Sequence, residues 1–310
     1  SVHEELVDLR EFDGEGGVGI FRTGEQAGLN RRVLIKFAGS VSNDDAKLQR
    51  FRREALITAT LSHPGIVPVH HYGTTRDGES YYTMQIISGM DLEDCIRSVH
   101  AKPNHDELCR MLGHFVSICN TVEYAHNLKL VHRDIKPKNI RVGEFGESFL
   151  LDWGLAKYRY ENGDSDAKTN EAQRRVQRLM SNIGDPQTTV IQSGTPLYMS
   201  PEQLEGLPAA LLPTSDVYSL GATLYAILTG ISPHIHAEFE EHYRRGSDVN
   251  KAVLQTVREN RIVAPHERRP GVPRPLSAIC MQALQKDPTK RYNSAKELAA
   301  DVQRYLNDMS

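Results

Sequence analysis

At 310 residues, with 39% hydrophobic and 25% charged content, the chain can bury a substantial core, and its length suits about two domains or lobes. A formal net charge of −3 provides no global basic field, so neither nucleic acid nor an anionic membrane surface is an expected partner. Four cysteines, at 95, 109, 119 and 280, form no Cys-x-x-Cys pair, which suits neither a disulfide framework nor a zinc site and points to a reducing, cytoplasmic setting.

The opening Ser-Val-His-Glu-Glu-Leu has neither the basic start nor the apolar segment of a secretory signal, and it reads as the start of an excised domain whose targeting or membrane segments would lie outside it. Over the first 85 or so residues, short β-rich runs alternate with turn signals. Val33-Leu34-Ile35 is one, and Tyr81-Tyr82-Thr83 follows a turn at Arg76-Asp77-Gly78. These predict an antiparallel sheet. Near its start, Gly14-Glu15-Gly16-Gly17-Val18-Gly19 spaces Gly14, Gly16 and Gly19 so that backbone N–H groups can approach phosphate oxygens, although a plain hairpin turn is the commoner use of such a run. Ile20-Phe21 then continue as a strand, where a dinucleotide-binding fold would want a helix.

Lys36 closes Val33-Leu34-Ile35-Lys36, and both a solvated strand end and a phosphate-facing ammonium are open to it. One helix interrupts the sheet. Asn43-Asp44-Asp45 supplies capping chemistry, apolar residues recur at Leu48, Phe51, Ala55, Leu56 and Ala59, and Pro64 closes the segment. Glu54 lies on this helix eighteen residues after Lys36, placed either to pair with it or to face solvent.

From about residue 91 the pattern turns helical, with Leu112, Phe115, Val116, Cys119, Val122 and Ala125 on a core-facing stripe and later runs at 216–228, 275–286 and 294–307. The apolar stretch Val217 to Leu228 is broken by Ser219 and Gly221 and is too short to cross a bilayer, so it predicts a buried helix. Between these runs, Lys157 to Gln192 is polar and reads as a long surface loop, within which Glu171 to Met180 suits either a short helix or a disordered insert. The thirteen histidines, including His70-His71 and the group at His234, His236 and His242, show no usual metal-ligand spacing.

The most specific signal is His-Arg-Asp-Ile-Lys-Pro-Lys-Asn at 132–139, followed by Asp152-Trp153-Gly154. Moving a phosphoryl group spreads charge over its oxygens, which calls for metal ligands and fixed cations more than covalent chemistry. Asp152 and Asn139 can be such ligands. Asp134, five residues before Asn139, can share its loop and face the hydroxyl that loses a proton, with Lys136 as a positive charge beside it.

With these residues in place the chain resembles the catalytic domain of protein kinases, and most closely the bacterial serine/threonine kinases of eukaryotic type, over nearly all its length. The resemblance implies an α+β, two-lobed fold: an N-terminal lobe over 1–87, with an antiparallel sheet and one helix, and a mostly helical C-terminal lobe over 88–310, with an activation segment at 152–202. It implies Lys36 on the α and β phosphates of ATP, Glu54 pairing with Lys36, and adenine held by Gln85 C=O and Ile87 N–H in Met84-Gln85-Ile86-Ile87-Ser88-Gly89. Asp91 would take a ribose hydroxyl, an N-terminal helix carboxylate being the alternative. Asp134 would orient the substrate hydroxyl, Lys136 steady the γ-phosphate, and Asn139 with Asp152 hold Mg2+.

Lys136 and Gly194-Thr195-Pro196-Leu197-Tyr198 resemble the serine/threonine type, with Thr195 near Asp134 and Lys136, and Glu202 is expected to pair with Arg291. Asp216 suits helix capping, anchoring of the catalytic loop, or both. Arg133 beside Asp134 marks the kinase type switched by phosphorylation, with Thr188, Thr189 and Ser193 as candidate acceptors. Two substitutions stand out, Phe21 where valine is usual and Trp153 where phenylalanine is usual. The implied activity is ATP-dependent phosphorylation of protein serine or threonine, including autophosphorylation with transient self-association. The rival is a pseudokinase that binds nucleotide or partners without catalysis.

Overall fold

The computed structural model describes residues 6–11, 20–39, 45–159, 170–183, 196–207, 212–235 and 249–308. Five strands, β1 (Leu6–Glu11), β2 (Ile20–Gln26), β3 (Arg31–Phe37), β4 (Val69–Thr74) and β5 (Ser80–Met84), form an antiparallel sheet in the order β1-β2-β3-β5-β4. Side chains alternate across the pleat, so Val33, Ile35 and Phe37 cluster with Tyr81 on one face. Lys36, in register with Phe21 on β2 and Tyr82 on β5, takes the other.

Helix α1 (Asp45–Thr60) packs on that second face, where Phe51 and Ala55 meet Ala38 and Tyr82 and the Phe51 and Tyr82 rings lie 5.2 Å apart. Its buried residues depart from the single stripe expected. Ala59 is exposed, while Arg53 and Ile57 are buried, because α1 has a second packing partner: Ile57 belongs to the large core of the helical part. The residues proposed to cap it, Asn43 and Asp44, lie outside the described residues.

The remaining elements are β6 (Gly89–Asp91), α2 (Leu92–Ala101), α3 (His105–Asn127), β7 (Leu130–Val131), β8 (Ile140–Gly143), β9 (Ser148–Leu150), β10 (Lys157–Tyr158), α4 (Glu171–Ile183), α5 (Pro201–Leu204), α6 (Pro213–Thr229), α7 (Val249–Glu259), α8 (Pro265–Arg268), α9 (Arg274–Ala283) and α10 (Ala295–Asp308). The architecture is thus two-lobed α+β, with an antiparallel sheet and one helix first and a mostly helical part after. Short sheets β6-β8-β9 and β7-β10 frame the segments between α3 and α4. Helix α6 is buried along nearly its whole length, with α3, α9 and α10 around it. At Gly221 a Cβ would lie 2.7 Å from the Ala283 Cβ, so glycine there lets α9 cross α6 closely. On α3, Ile118 and Met111 are fully buried while Val116 is only half-buried.

The stretch 157–192 is not wholly a surface loop. Its middle forms α4, three residues longer than the expected segment, with Val176 and Met180 buried. Its many polar residues conceal a narrow apolar stripe with helical spacing.

The helical part is pinned by an ion pair between elements far apart in sequence. Arg291 donates to both carboxylate oxygens of Glu202 at 2.6 and 2.8 Å, and its other N–H groups reach the carbonyls of Thr214, Gln285 and Lys286. The Ser215 hydroxyl donates to the same carboxylate at 2.8 Å, and the guanidinium lies over the Tyr218 ring. Burial would raise the Glu202 pKa, but the hydrogen bonds and charge of Arg291 hold it below the usual carboxylate range. The resulting stabilisation is present above the unfolded-state pKa of about 4.3 and is lost as pH falls through the lower folded value. Replacing Arg291 with Met leaves a buried, unpaired carboxylate and should cost about 3–5 kcal/mol. Urea titration checks this: the midpoint should fall with little change in slope.

Candidate active site

The loop between β7 and β8 takes its shape from a carboxylate in the first turn of α6. Asp216 accepts the backbone N–H of His132 at 2.8 Å, that of Arg133 at 2.9 Å and the Nε2–H of His126 at 2.8 Å. Burial opposes its charge, yet the His126 bond and the neighbouring imidazoles hold its pKa below the ordinary value. It caps nothing: the residue preceding the helix is Leu212, and no side chain accepts there. Arg133 has a φ of 72°, a left-handed conformation that costs a bulky residue about 1–3 kcal/mol and persists because its backbone is held on both sides. Gln203 does the second half of that, donating to the Arg133 carbonyl at 3.0 Å.

Three polar side chains project from this loop onto one another. Lys136 Nζ donates to both carboxylate oxygens of Asp134 at 3.0 Å, and Asn139 Nδ2 donates to the Asp134 carbonyl at 2.8 Å and to Oδ2 at 3.0 Å. Because the amide nitrogen of Asn139 is engaged, its oxygen is the atom left to ligate a cation. His132 Nδ1 accepts from the Asp134 N–H and its Nε2 faces the Leu151 carbonyl, which assigns the neutral tautomer protonated on Nε2. Burial lowers the His132 pKa, in keeping with neutrality. Asp134 itself is pushed upward by burial, with the Lys136 ammonium opposing the shift.

Asp152 is joined to the loop through its neighbour, since the Leu151 N–H donates to the Asn139 carbonyl at 2.8 Å. It too adopts a left-handed backbone, φ 59°, and its carboxylate faces Arg50 of α1 at 3.2 Å. Burial alone would neutralise it. The positive charges of Arg50, Lys36 and Lys136 instead hold its pKa below the ordinary value. Gly154 makes room for that contact, because a Cβ there would lie 3.0 Å from Arg50 Cγ and 3.1 Å from its Nε. Trp153 is fully buried, donates to the Leu150 carbonyl at 3.2 Å and meets the His132 ring edge-on at 4.6 Å between centroids, so the larger ring fills core.

From the sheet, Lys36 reaches Glu54 on α1 with Nζ–O distances of 2.7 and 2.8 Å, and the Tyr82 hydroxyl donates to the same carboxylate at 2.8 Å. Phe21 and Tyr82 turn their rings toward the ammonium, 5.6 and 5.9 Å from it, so the bulky Phe21 shields the ion pair. Gln85 and Ile87 lie on the short connection between β5 and β6, where the Gln85 N–H donates to the Pro68 carbonyl at 3.1 Å. Asp91 caps α2, accepting the Asp94 N–H at 2.8 Å with one oxygen. Gly14, Gly16, Gly19, Thr188, Thr189, Ser193 and Thr195 lie outside the described residues.

Sequence reasoning passed over Arg50, Tyr82, His126 and Gln203. Arg50 was findable, since it precedes Glu54 by four residues and so shares its helix face. The other three act across long separations that no local pattern reports.

A model of the protein kinase domain matches residues 9–302. The chain is 35% identical over 309 residues to serine/threonine-protein kinase PknD of Chlamydia caviae, 36% to that of Chlamydia muridarum and 36% to that of Chlamydia pneumoniae, each alignment covering 96–98% of this chain. It spans about a third of the length of these curated relatives, 31–32%. Two converging lines, a loop built around Asp134 and a sequence match running through it from β1 to α10, place the chain in the protein kinase family, as a serine/threonine protein kinase domain.

Proposed function

We propose that the chain transfers the γ-phosphoryl group of ATP to serine and threonine hydroxyls of proteins, its own activation segment included, with Mg2+ as the divalent cation. The observation that carries this reading is that the Lys36–Glu54 pair is closed while Asp134, Lys136, Asn139 and Asp152 share one electrostatic field. A pseudokinase would lack one of these elements, and none is missing.

Asn139 and Asp152 fit a hard cation, because they offer an amide oxygen and a carboxylate that its neighbours keep ionised. When bound, such a cation neutralises charge on the phosphate oxygens. Lys36, steered by Glu54, would meet the α and β phosphates, with the backbone of Gly14, Gly16 and Gly19 over them. Gln85 C=O and Ile87 N–H would hold the adenine, and the Asp91 oxygen not engaged in capping would take a ribose hydroxyl. Asp134 would accept the proton of the substrate hydroxyl as the new O–P bond forms and the bond between the γ-phosphorus and the β–γ bridging oxygen breaks, with ADP leaving, and Lys136 would move from Asp134 onto the γ-phosphate. Thr188, Thr189 and Ser193 are the proposed acceptors for autophosphorylation, which a second copy of the chain would perform during transient association. We place the lobe boundary between residues 87 and 88.

Among the described residues no helix is long and apolar enough to cross a membrane; the likeness to serine/threonine-protein kinases supports protein substrates, and the four free cysteines suit a reducing, cytosolic setting.

Labelled ATP with Mg2+ and a generic protein substrate tests the reading, with Lys36→Met as control. Label should appear on phosphoserine and phosphothreonine with the unaltered chain and be nearly absent with the variant. Asp134→Asn should lower kcat by about a hundredfold or more while nucleotide binding, read by calorimetry, persists. Because burial raises the Asp134 pKa, the acid limb of kcat should fall at a pH above about 3.9, and Lys136→Ala should move that limb higher still, by removing the charge that favours the carboxylate. Mass spectrometry after incubation with ATP should find phosphate on Thr188, Thr189 or Ser193. All three unmodified in fully active protein would remove that proposal.

A further inference from the structure

Helix α4 is an insert within the activation segment, yet it is built and anchored as a structural element. Asn170 and Gln173 close a reciprocal cap, with the Gln173 N–H on Asn170 Oδ1 at 2.8 Å and the Asn170 N–H on Gln173 Oε1 at 3.0 Å. Gln173 also donates its Nε2–H to the Asn127 carbonyl at 2.7 Å, which ties the start of α4 to the end of α3. One turn on, Val176 and Met180 are 1% and 3% exposed, and Leu179 and Ile183 lean on the same core. Arg174, Arg175 and Arg178 occupy the opposite, exposed face.

What α4 leans on is the helix that carries Glu54. Arg53 is buried and extends its Nη2 to the Ala156 carbonyl at 2.8 Å and to within 3.8 Å of the Met180 sulfur. Ala156 closes the turn that begins at Trp153, so one guanidinium touches both the turn that follows Asp152 and helix α4. Arg53 and Glu54 are adjacent on a rigid helix and point about 100° apart, one toward α4 and the other toward Lys36. A shift of α1 large enough to open the 2.7 Å Lys36–Glu54 contact must also draw Arg53 off Ala156 and uncover Met180.

We propose that α4 is a built-in brace on α1 and that Arg53 is the positioning residue through which it keeps Glu54 against Lys36. The inference rests on the phosphoryl-transfer reading above and extends it to a structural element that the catalytic residues do not include. It makes the catalytic geometry of the sheet depend on a segment more than a hundred residues away.

Hydrogen exchange of α1 together with steady-state kinetics tests it, because packing of α4 on α1 that did not steer Glu54 would alter the exchange of α1 and leave kcat unchanged. The double variant V176D/M180D should detach α4. Gln173→Ala, a change on the helix surface, should weaken its anchorage with no risk to the core. Amides of residues 51–60 should then exchange about tenfold faster or more while those of α3 and α6 hold, and kcat should fall about tenfold with the KM for ATP within about twofold. Gln173→Ala should shift both readouts the same way by a smaller factor, and it decides the matter if the double variant does not fold. Arg53→Ala should reproduce the loss of kcat, and Arg53→Lys should recover part of it.

The brace is overturned if either readout stays unchanged in the folded variants, or if protection is lost equally in α3 and α6. If the unaltered chain transfers no phosphate, the kinase reading falls, and the exchange of residues 51–60 alone decides the brace.

Discussion

The ion pair between Lys36 and Glu54 is the point at which the sheet, the helix packed on it and the proposed phosphate-binding chemistry meet. Its two partners lie on different elements, and each is placed by a separate rule: Lys36 by the alternation of β3, Glu54 by the helical period of α1. Both are nearly buried, with side chains 8% and 12% exposed, so the attraction between them is screened less than at the surface. Tyr82 and Phe21 close over it. Shifting α1 takes from the lysine the carboxylate it bonds directly, which makes the position of this helix a matter of electrostatics as much as of packing.

The rest of the site distributes charge in opposite senses over two carboxylates. Asp134 is biased upward by burial and stays an acceptor because Lys136 lies against it, whereas Asp152 is held ionised by Arg50 and Lys36. Pairs of acids whose surroundings push their pKa values apart are how one site assigns different tasks to the same functional group. A third carboxylate, Asp216, takes no part in chemistry and fixes the backbone on which the others depend, including a strained Arg133. Such strain is expected where a loop must present several groups toward one point.

Much of this was legible in the sequence, because the strongest signals were local. The sheet was visible through β-branched and aromatic runs with turn residues between them, and α6 through its apolar run. Lys36, Asp134, Asn139 and Asp152 were named from spacing and resemblance. What escaped was tertiary. The stripe on α1 was drawn for one partner, but the helix has two, which is why Ala59 is exposed and Ile57 buried. For Glu171 to Met180 the sequence left a short helix and a disordered insert both open, and tertiary contacts decide for the helix: Val176 and Met180 are buried, and Asn170 and Gln173 cap it. His126 reaches Asp216 across ninety residues, a relation that no window of sequence contains.

A double-mutant cycle on Lys36 and Glu54 measures the central interaction most directly. The single variants Lys36→Met and Glu54→Gln should each lower kcat for phosphoryl transfer, and the double variant should be scarcely worse than Lys36→Met, because Glu54 acts only through the ammonium it holds. If the two losses instead add, the residues act independently, and the ion pair is not what poises this site.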